Sequence, residues 1–147
     1  LNMKIKFREG FRPFAPSVLL DKTPEWFEID CDSPYMLLVA QVREGKRTIP
    51  SVTHVDNSAR LQTVTRAEAP LYYDLIREFE KTTGVPIVIN TSFNVRGEPI
   101  VCTPHDAYLC FMRTNMDHLV LGHHVLDKKE QPPLRDDVDW RSLYELD

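Results

Sequence analysis

Cysteine is scarce in this chain: Cys31, Cys102 and Cys110 are the three in 147 residues, and no two of them form a Cys-x-x-Cys pair. An odd, scattered set fits reduced thiols in a cytoplasmic protein better than a disulfide framework. Cys102 and Cys110 stand among apolar neighbours and read as packing residues. Long apolar runs are missing as well. None approaches the ~20 residues that a membrane-spanning helix needs, and residues 1–8 alternate charged and apolar side chains where a signal peptide would have an apolar core. There is no dense basic run either. With a net charge of −4, this argues against nucleic acid as the main partner and leaves room for a local basic pocket. Internal repeats and low-complexity segments are absent. What remains is ordinary globular composition, 42% hydrophobic and 27% charged, enough for one domain over residues 1–147 with a core of its own. The chain starts without methionine and enters strand-like sequence at once, so it is expected to be part of a longer protein.

The most informative stretch is 85–100. Val85, Ile87, Val88 and Ile89 form an uninterrupted β-branched run, as in a strand covered on both faces. Asn90, Thr91, Ser92 and Asn94 follow, with two carboxamides and two hydroxyls in five positions, and Gly97 and Pro99 forbid an immediate helix. A polar loop at the carboxyl end of a buried strand is where open α/β sheets hold ligands. Its hydroxyls, amides and backbone N–H groups suit phosphate or acyl oxygens. The plainer alternative is a turn in which Asn94 only tolerates positive φ and Ser92 caps its own backbone.

From the N-terminus, Met3, Ile5 and Phe7 alternate with Lys4, Lys6 and Arg8, the pattern of a strand with one basic face. In 10–16, two prolines and two aromatics bracket Arg12, which would suit an anion or a stacking contact. Residues 15–20 are expected as a short helix, 21–34 as a loop anchored by Trp26 and Phe27, and 35–42 as a second strand. The cluster His54, Asp56, Arg60 and Gln62 is dense in functional groups, and a structural hydrogen-bond role is favoured over a metal or acid–base pair. A helix is expected over 70–83, with Leu71, Leu75, Ile76 and Phe79 inward, and then strand 85–89, which together read as half of a βαβ unit. Thr103 and Asp106 are spaced as a capping box for a helix over 104–113, with Ala107, Cys110, Phe111 and Thr114 inward. Residues 117–126 are closing strands. His123-His124 is set aside as a metal pair, because neighbours on a strand face opposite ways. Residues 128–147 read as an irregular tail, in which Trp140, Leu143, Tyr144 and Leu146 are spaced as in a short docking helix.

Three stretches, 6–16 (KFREGFRPFAP), 53–62 (THVDNSARLQ) and 90–99 (NTSFNVRGEP), together resemble the C-terminal domain of the O-carbamoyltransferases that modify nodulation factors and antibiotics. The likeness covers nearly the whole chain in order, and the last eight residues look most like the nodulation branch. That domain is similar in fold to YrdC proteins, which implies α/β (α+β) architecture with a twisted open mixed sheet and packed helices. The family pattern carries a Lys-x-Arg pair and a Ser-x-Asn pair at the nucleotide site, matched here by Lys6-x-Arg8 and Ser92-x-Asn94. The resemblance implies that Lys6 and Arg8 are catalytic, and that Arg12, Thr53, His54, Arg60, Asn90, Ser92, Asn94 and Arg96 bind nucleotide or carbamoyl phosphate. It implies ATP and carbamoyl phosphate as substrates, Mg²⁺ with the ATP, and carbamoyl adenylate and pyrophosphate as products. It also implies a Kae1-like N-terminal domain outside these residues, holding the family's iron and acceptor and passing the carbamoyl group to a sugar hydroxyl. No metal site is expected within the chain itself.

The residue types agree with that chemistry independently. Adenylation needs positioning and positive charge against a developing pyrophosphate, with no protein nucleophile. A lysine gives a mobile point charge and an arginine a planar fork for phosphate oxygens. On a strand, Lys6 and Arg8 would face the same way. A non-catalytic nucleotide- or RNA-binding module of the YrdC type is the alternative, and a purely structural docking domain is a third reading.

Overall fold

The computed structural model describes residues 1–134, which form α/β structure with open sheets. The expected docking helix around Trp140 lies outside the described residues. The chain divides into two compact units: a contiguous one, Pro13–Thr91, and a discontinuous one made of Leu1–Arg12 and the chain from Ser92 onward.

The contiguous unit holds two three-stranded sheets. In the first, β1 (Ala15–Leu19) lies between β5 (Gln62–Val64) and β6 (Ile87–Asn90). The β1–β5 pair is parallel, with Ser17 opposite Gln62, and the β1–β6 pair is antiparallel, with Ala15 opposite Asn90. The second sheet runs β2 (Phe27–Glu28), β3 (Val39–Val42), β4 (Ser58–Arg60), antiparallel throughout. Phe14, Val18, Trp26, Phe27, Val42, Val52, Leu61 and Ile87 make the larger core of the unit. Trp26 closes a short helix, α1 (Thr23–Trp26), and Phe27 starts β2, so the expected loop over 21–34 is structured at its anchor.

Helix α2 (Pro70–Thr83) begins on a proline and ends at Gly84, whose φ of 76° is the left-handed C-cap that glycine adopts without strain. It packs through Ile76, with Tyr72 and Tyr73, against Leu19, Val64 and Val88. This corrects the expected inner face. Leu71, Leu75 and Phe79 are 75%, 53% and 41% exposed, while Ile76 is fully buried. The heptad-like spacing allowed a stripe to either side of Ile76, and the two tyrosines supplied the larger surface for the sheet.

Three further expectations change. Residues 15–19 form a strand and not a helix, because Ser17, Val18 and Leu19 are wholly buried between two neighbouring strands. The strand expected over 35–42 starts only at Val39, since Met36 takes a left-handed backbone (φ 54°) and Tyr35 and Leu37 stay exposed. β6 has both faces covered at its start, Ile87 in the larger core and Val88 against the α2 cluster, with Ile89 42% exposed; it runs antiparallel to β1, so α2–β6 is not half of a parallel crossover.

The discontinuous unit is built on α3 (Pro104–Arg113) and the hairpin β7 (His118–Leu121) to β8 (His124–Asp127). The capping box is present: the Thr103 hydroxyl accepts from the Asp106 N–H, and the Asp106 carboxylate accepts from the Thr103 N–H at 2.9 Å. Ala107, Cys110, Phe111 and Thr114 are all buried as expected. Lys128 ends the helix: its ammonium donates to the carbonyls of Phe111 and Thr114 and lies over the Phe111 ring. Cys102, expected to be a packing residue, is exposed, and Cys110 alone packs.

Candidate functional site

In the discontinuous unit the N-terminal segment departs most from expectation. Residues Asn2–Lys6 form one π-helical turn, with the N–H groups of Ile5 and Lys6 donating to the Leu1 carbonyl, and Phe7 reverses the chain in the left-handed region (φ 51°). The alternating pattern is thus not a strand, and Lys6 and Arg8 do not share a strand face. The reason lies in Lys6. It is 4% exposed, and a wet edge strand would leave its ammonium in water, whereas the turn delivers it to a cage of oxygens.

That cage is the polar loop after β6. The Lys6 Nζ donates to the Ser92 carbonyl at 2.6 Å, the Asn94 carbonyl at 2.6 Å and Asn94 Oδ1 at 2.8 Å, with Ser92 Oγ at 3.4 Å. An ammonium has three protons, and these contacts use all of them. The Ser92 hydroxyl donates to Asn94 Oδ1 at 2.7 Å, and Asn94 Nδ2 donates to the Glu98 carbonyl at 2.8 Å. Because Lys6 can only donate, the carboxamide oxygen of Asn94 must face it. The two residue pairs singled out in the sequence therefore meet in one network. Burial, and then the neighbouring charge of Arg8, pull the Lys6 pKa below its usual value.

Around this network lie three arginines. Arg8 Nε donates to Asn2 Oδ1 at 2.8 Å, and the Asn2 amide donates to the Arg12 carbonyl at 2.8 Å, so buried Asn2 braces the turn over 8–12. Glu9 bridges the other two: Arg12 Nε is 3.0 Å and Arg96 Nη1 3.1 Å from its carboxylate. The Glu9 pKa is lowered, first by a hydrogen bond from its own backbone and then by those arginines. Glu98 completes the loop. Its N–H donates to the Val95 carbonyl across a turn with Gly97 at φ 75°, and its carboxylate accepts the Val95 N–H at 3.1 Å. The buried Cys110 thiol has its pKa pushed up to about 12 by burial and by the adjacent Glu98 carboxylate. A thiol in that state is no nucleophile at neutral pH. Asn2, Glu9 and Glu98 were missed in the sequence. Asn2 and Glu9 carried no local signal, whereas Glu98 sits in Gly97-Glu98-Pro99, where a turn glycine beside a carboxylate is a recognisable loop brace.

The remaining candidates belong to the contiguous unit. The Thr53 hydroxyl donates to the Ile49 carbonyl at 2.8 Å. The Ser58 hydroxyl donates to Asp56 at 2.7 Å, so His54 Nδ1, 2.8 Å from the same oxygen, is the nitrogen that carries hydrogen. The Ser58 hydrogen bonds hold the Asp56 pKa below the usual carboxylate value. His54 and Asp56 are thus joined through Ser58 in a structural chain, as the residue-level reading favoured. Arg60 is exposed on β4 opposite Val39. Asn90 donates at 2.6 Å to Gln62 Oε1, which also accepts from the buried Ser17 hydroxyl at 2.7 Å. Among the described residues no group of three or more His, Cys, Asp or Glu side chains could hold a metal ion.

The chain thus combines open α/β structure with a basic, amide-rich loop. Residues 1–128 match the model of the carbamoyltransferase C-terminus, and the chain belongs to that family. It is 47% identical to nodulation protein NolNO of Sinorhizobium fredii over 97% of this chain and 21% of that protein. It is 44% identical to nodulation protein NolO of Bradyrhizobium diazoefficiens over 88% of this chain and 24% of that protein. An uncharacterized protein of Synechocystis is 52% identical over 100% of this chain and 27% of its own length. The chain therefore spans only about a quarter of the length of the curated relatives it matches. Among the described residues no helix is long and apolar enough to cross a membrane.

Proposed function

We propose that this domain binds ATP and carbamoyl phosphate and forms carbamoyl adenylate, in the cytoplasm, for a longer polypeptide whose Kae1-like part passes the carbamoyl group to a sugar hydroxyl. The observation that carries this reading is the meeting of Lys6 with Ser92 and Asn94 in one buried network, within the same unit as Arg8, Arg12 and Arg96. Water releases inorganic phosphate from carbamoyl phosphate, and the resulting carbamate oxygen attacks the α-phosphorus of ATP. A new P–O bond forms, the α–β bond breaks, and pyrophosphate leaves with the bridging electron pair. The protein's part is to fix both substrates in line and to meet the charge that builds on the leaving group. The arginines can grip phosphate oxygens in pairs, and the loop amides add donors without adding charge. Mg²⁺ would arrive on the nucleotide, held mainly by phosphate oxygens and water.

The test is a calorimetric titration with ATP and Mg²⁺, with and without carbamoyl phosphate, followed by a pyrophosphate-release assay on this chain and on the longer protein. Pyrophosphate that appears only with both substrates, and is lost in Ser92→Ala and Asn94→Ala, is the expected result. ATP binding without pyrophosphate in the longer protein would leave a nucleotide-binding module; no binding in either form would remove the reading.

A further inference from the structure

The loop over 92–95 orients its peptide groups in a way that singles out one donor. Both the Ser92 and the Asn94 carbonyls point at the Lys6 ammonium. No peptide among the described residues is cis, and in a trans peptide the N–H points away from the carbonyl of the same unit. The N–H groups of Phe93 and Val95 therefore face away from Lys6. That of Val95 is taken by the Glu98 carboxylate at 3.1 Å. The Asn94–Val95 peptide is thus gripped by a cation at one end and an anion at the other. The Phe93 N–H, by contrast, has no acceptor among the described residues. It is nevertheless fixed: the Phe93 carbonyl accepts from the Val101 N–H at 3.0 Å, and its ring packs on Ala107, Phe111 and Leu119.

We propose that the Phe93 N–H donates to a phosphoryl oxygen of the substrate, and that Glu98 is the positioning residue that keeps it aimed by immobilising the Asn94–Val95 peptide, two peptide units along. This rests on the reading given above and adds to it a backbone donor and its brace. An N–H whose own carbonyl is bound to an ammonium is polarised into a stronger donor. An N–H without a protein partner is free to bond an anionic oxygen. A donor preset in this way needs no reorganisation as charge develops.

The test replaces the Phe93 amide by an ester, using the α-hydroxy acid of phenylalanine in the full-length protein, and titrates with ATP–Mg²⁺ and with carbamoyl phosphate separately. Affinity for at least one of them is expected to fall roughly ten- to a hundredfold. The ligand that loses affinity identifies whose oxygen is held. The melting temperature should fall only slightly, because the deleted N–H bonds nothing in the free protein and only the Ser92 carbonyl, now an ester oxygen, accepts more weakly from Lys6. In parallel, Glu98→Ala should weaken the same ligand about tenfold, and Glu98→Gln should recover most of it, since the amide oxygen still accepts from Val95. Wild-type affinity for both ligands in the ester, or equal loss in Glu98→Ala and Glu98→Gln, overturns the inference alone. Failure of the unmodified protein to bind either ligand overturns the functional reading with it.

Discussion

Lys6 hydrogen-bonds to carbonyl and amide oxygens, and its protonation state controls the loop that it holds. Between its lowered folded pKa and 10.5, the folded chain binds fewer protons than the unfolded one, so this group makes stability rise with pH across that window. Substrate binding should move the other way, because a neutral amine can no longer donate to three oxygens. Nucleotide affinity is therefore expected to fall through an apparent pKa below 10.5, and Arg8→Gln should move that midpoint upward; a titration series at rising pH reads both. Lys6→Met leaves the Ser92 and Asn94 carbonyls unsatisfied and is expected to cost about 2 kcal/mol or more in denaturant unfolding. At this scale the sequence was only half legible. The pairs Lys6-x-Arg8 and Ser92-x-Asn94 were visible as residues, but their bonds were not. Alternation over 3–8 reported a strand, and nothing local announced that burying one ammonium against a loop 86 residues away would curl the segment into a π-turn.

Among the elements, α2 and α3 make contrasting cases. In α2 the extent was legible from Pro70 and Gly84, and the buried face was not. Ile76→Ala is expected to cost 2–5 kcal/mol, while Leu75→Ala should stay within about 0.5 kcal/mol; chemical denaturation of the two variants checks which face is buried. Gly84→Ala meets open space but must hold φ 76°, and should cost about 1 kcal/mol. In α3 the bounds, cap and inner face were all legible, because a capping box and a buried stripe agree. Thr103→Ala should cost about 1 kcal/mol. The Asp106 pKa is lowered, chiefly by hydrogen bonds from Thr103. Its contribution is full above the unfolded pKa near 3.8 and is lost as pH falls through the folded value, so acid unfolding should start earlier in a variant lacking only that cap.

On the scale of the molecule, the residues within Pro13–Thr91 have two apolar clusters of their own, one around Trp26 and Phe27 and one around Ile76. A chain limited to 13–91 contains Trp26 as its single tryptophan. Its fluorescence should report a cooperative unfolding transition; a gradual, non-cooperative change would show that these clusters do not suffice. Fold class was readable because helices and β-branched runs alternate along the chain. Sheet order was not, because no local pattern tells β1 to accept β5 in parallel and β6 antiparallel.

The separation of 86 positions between Lys6 and Ser92 also sets an order of birth. On the ribosome the ammonium emerges before its acceptors, which follow on the order of ten seconds later at ordinary elongation rates. In the interval the intervening sheets are synthesised in full. The turn around Lys6 therefore finds its place only after those sheets, and every nascent chain stalled between Lys6 and Ser92 carries a lysine still waiting for its loop.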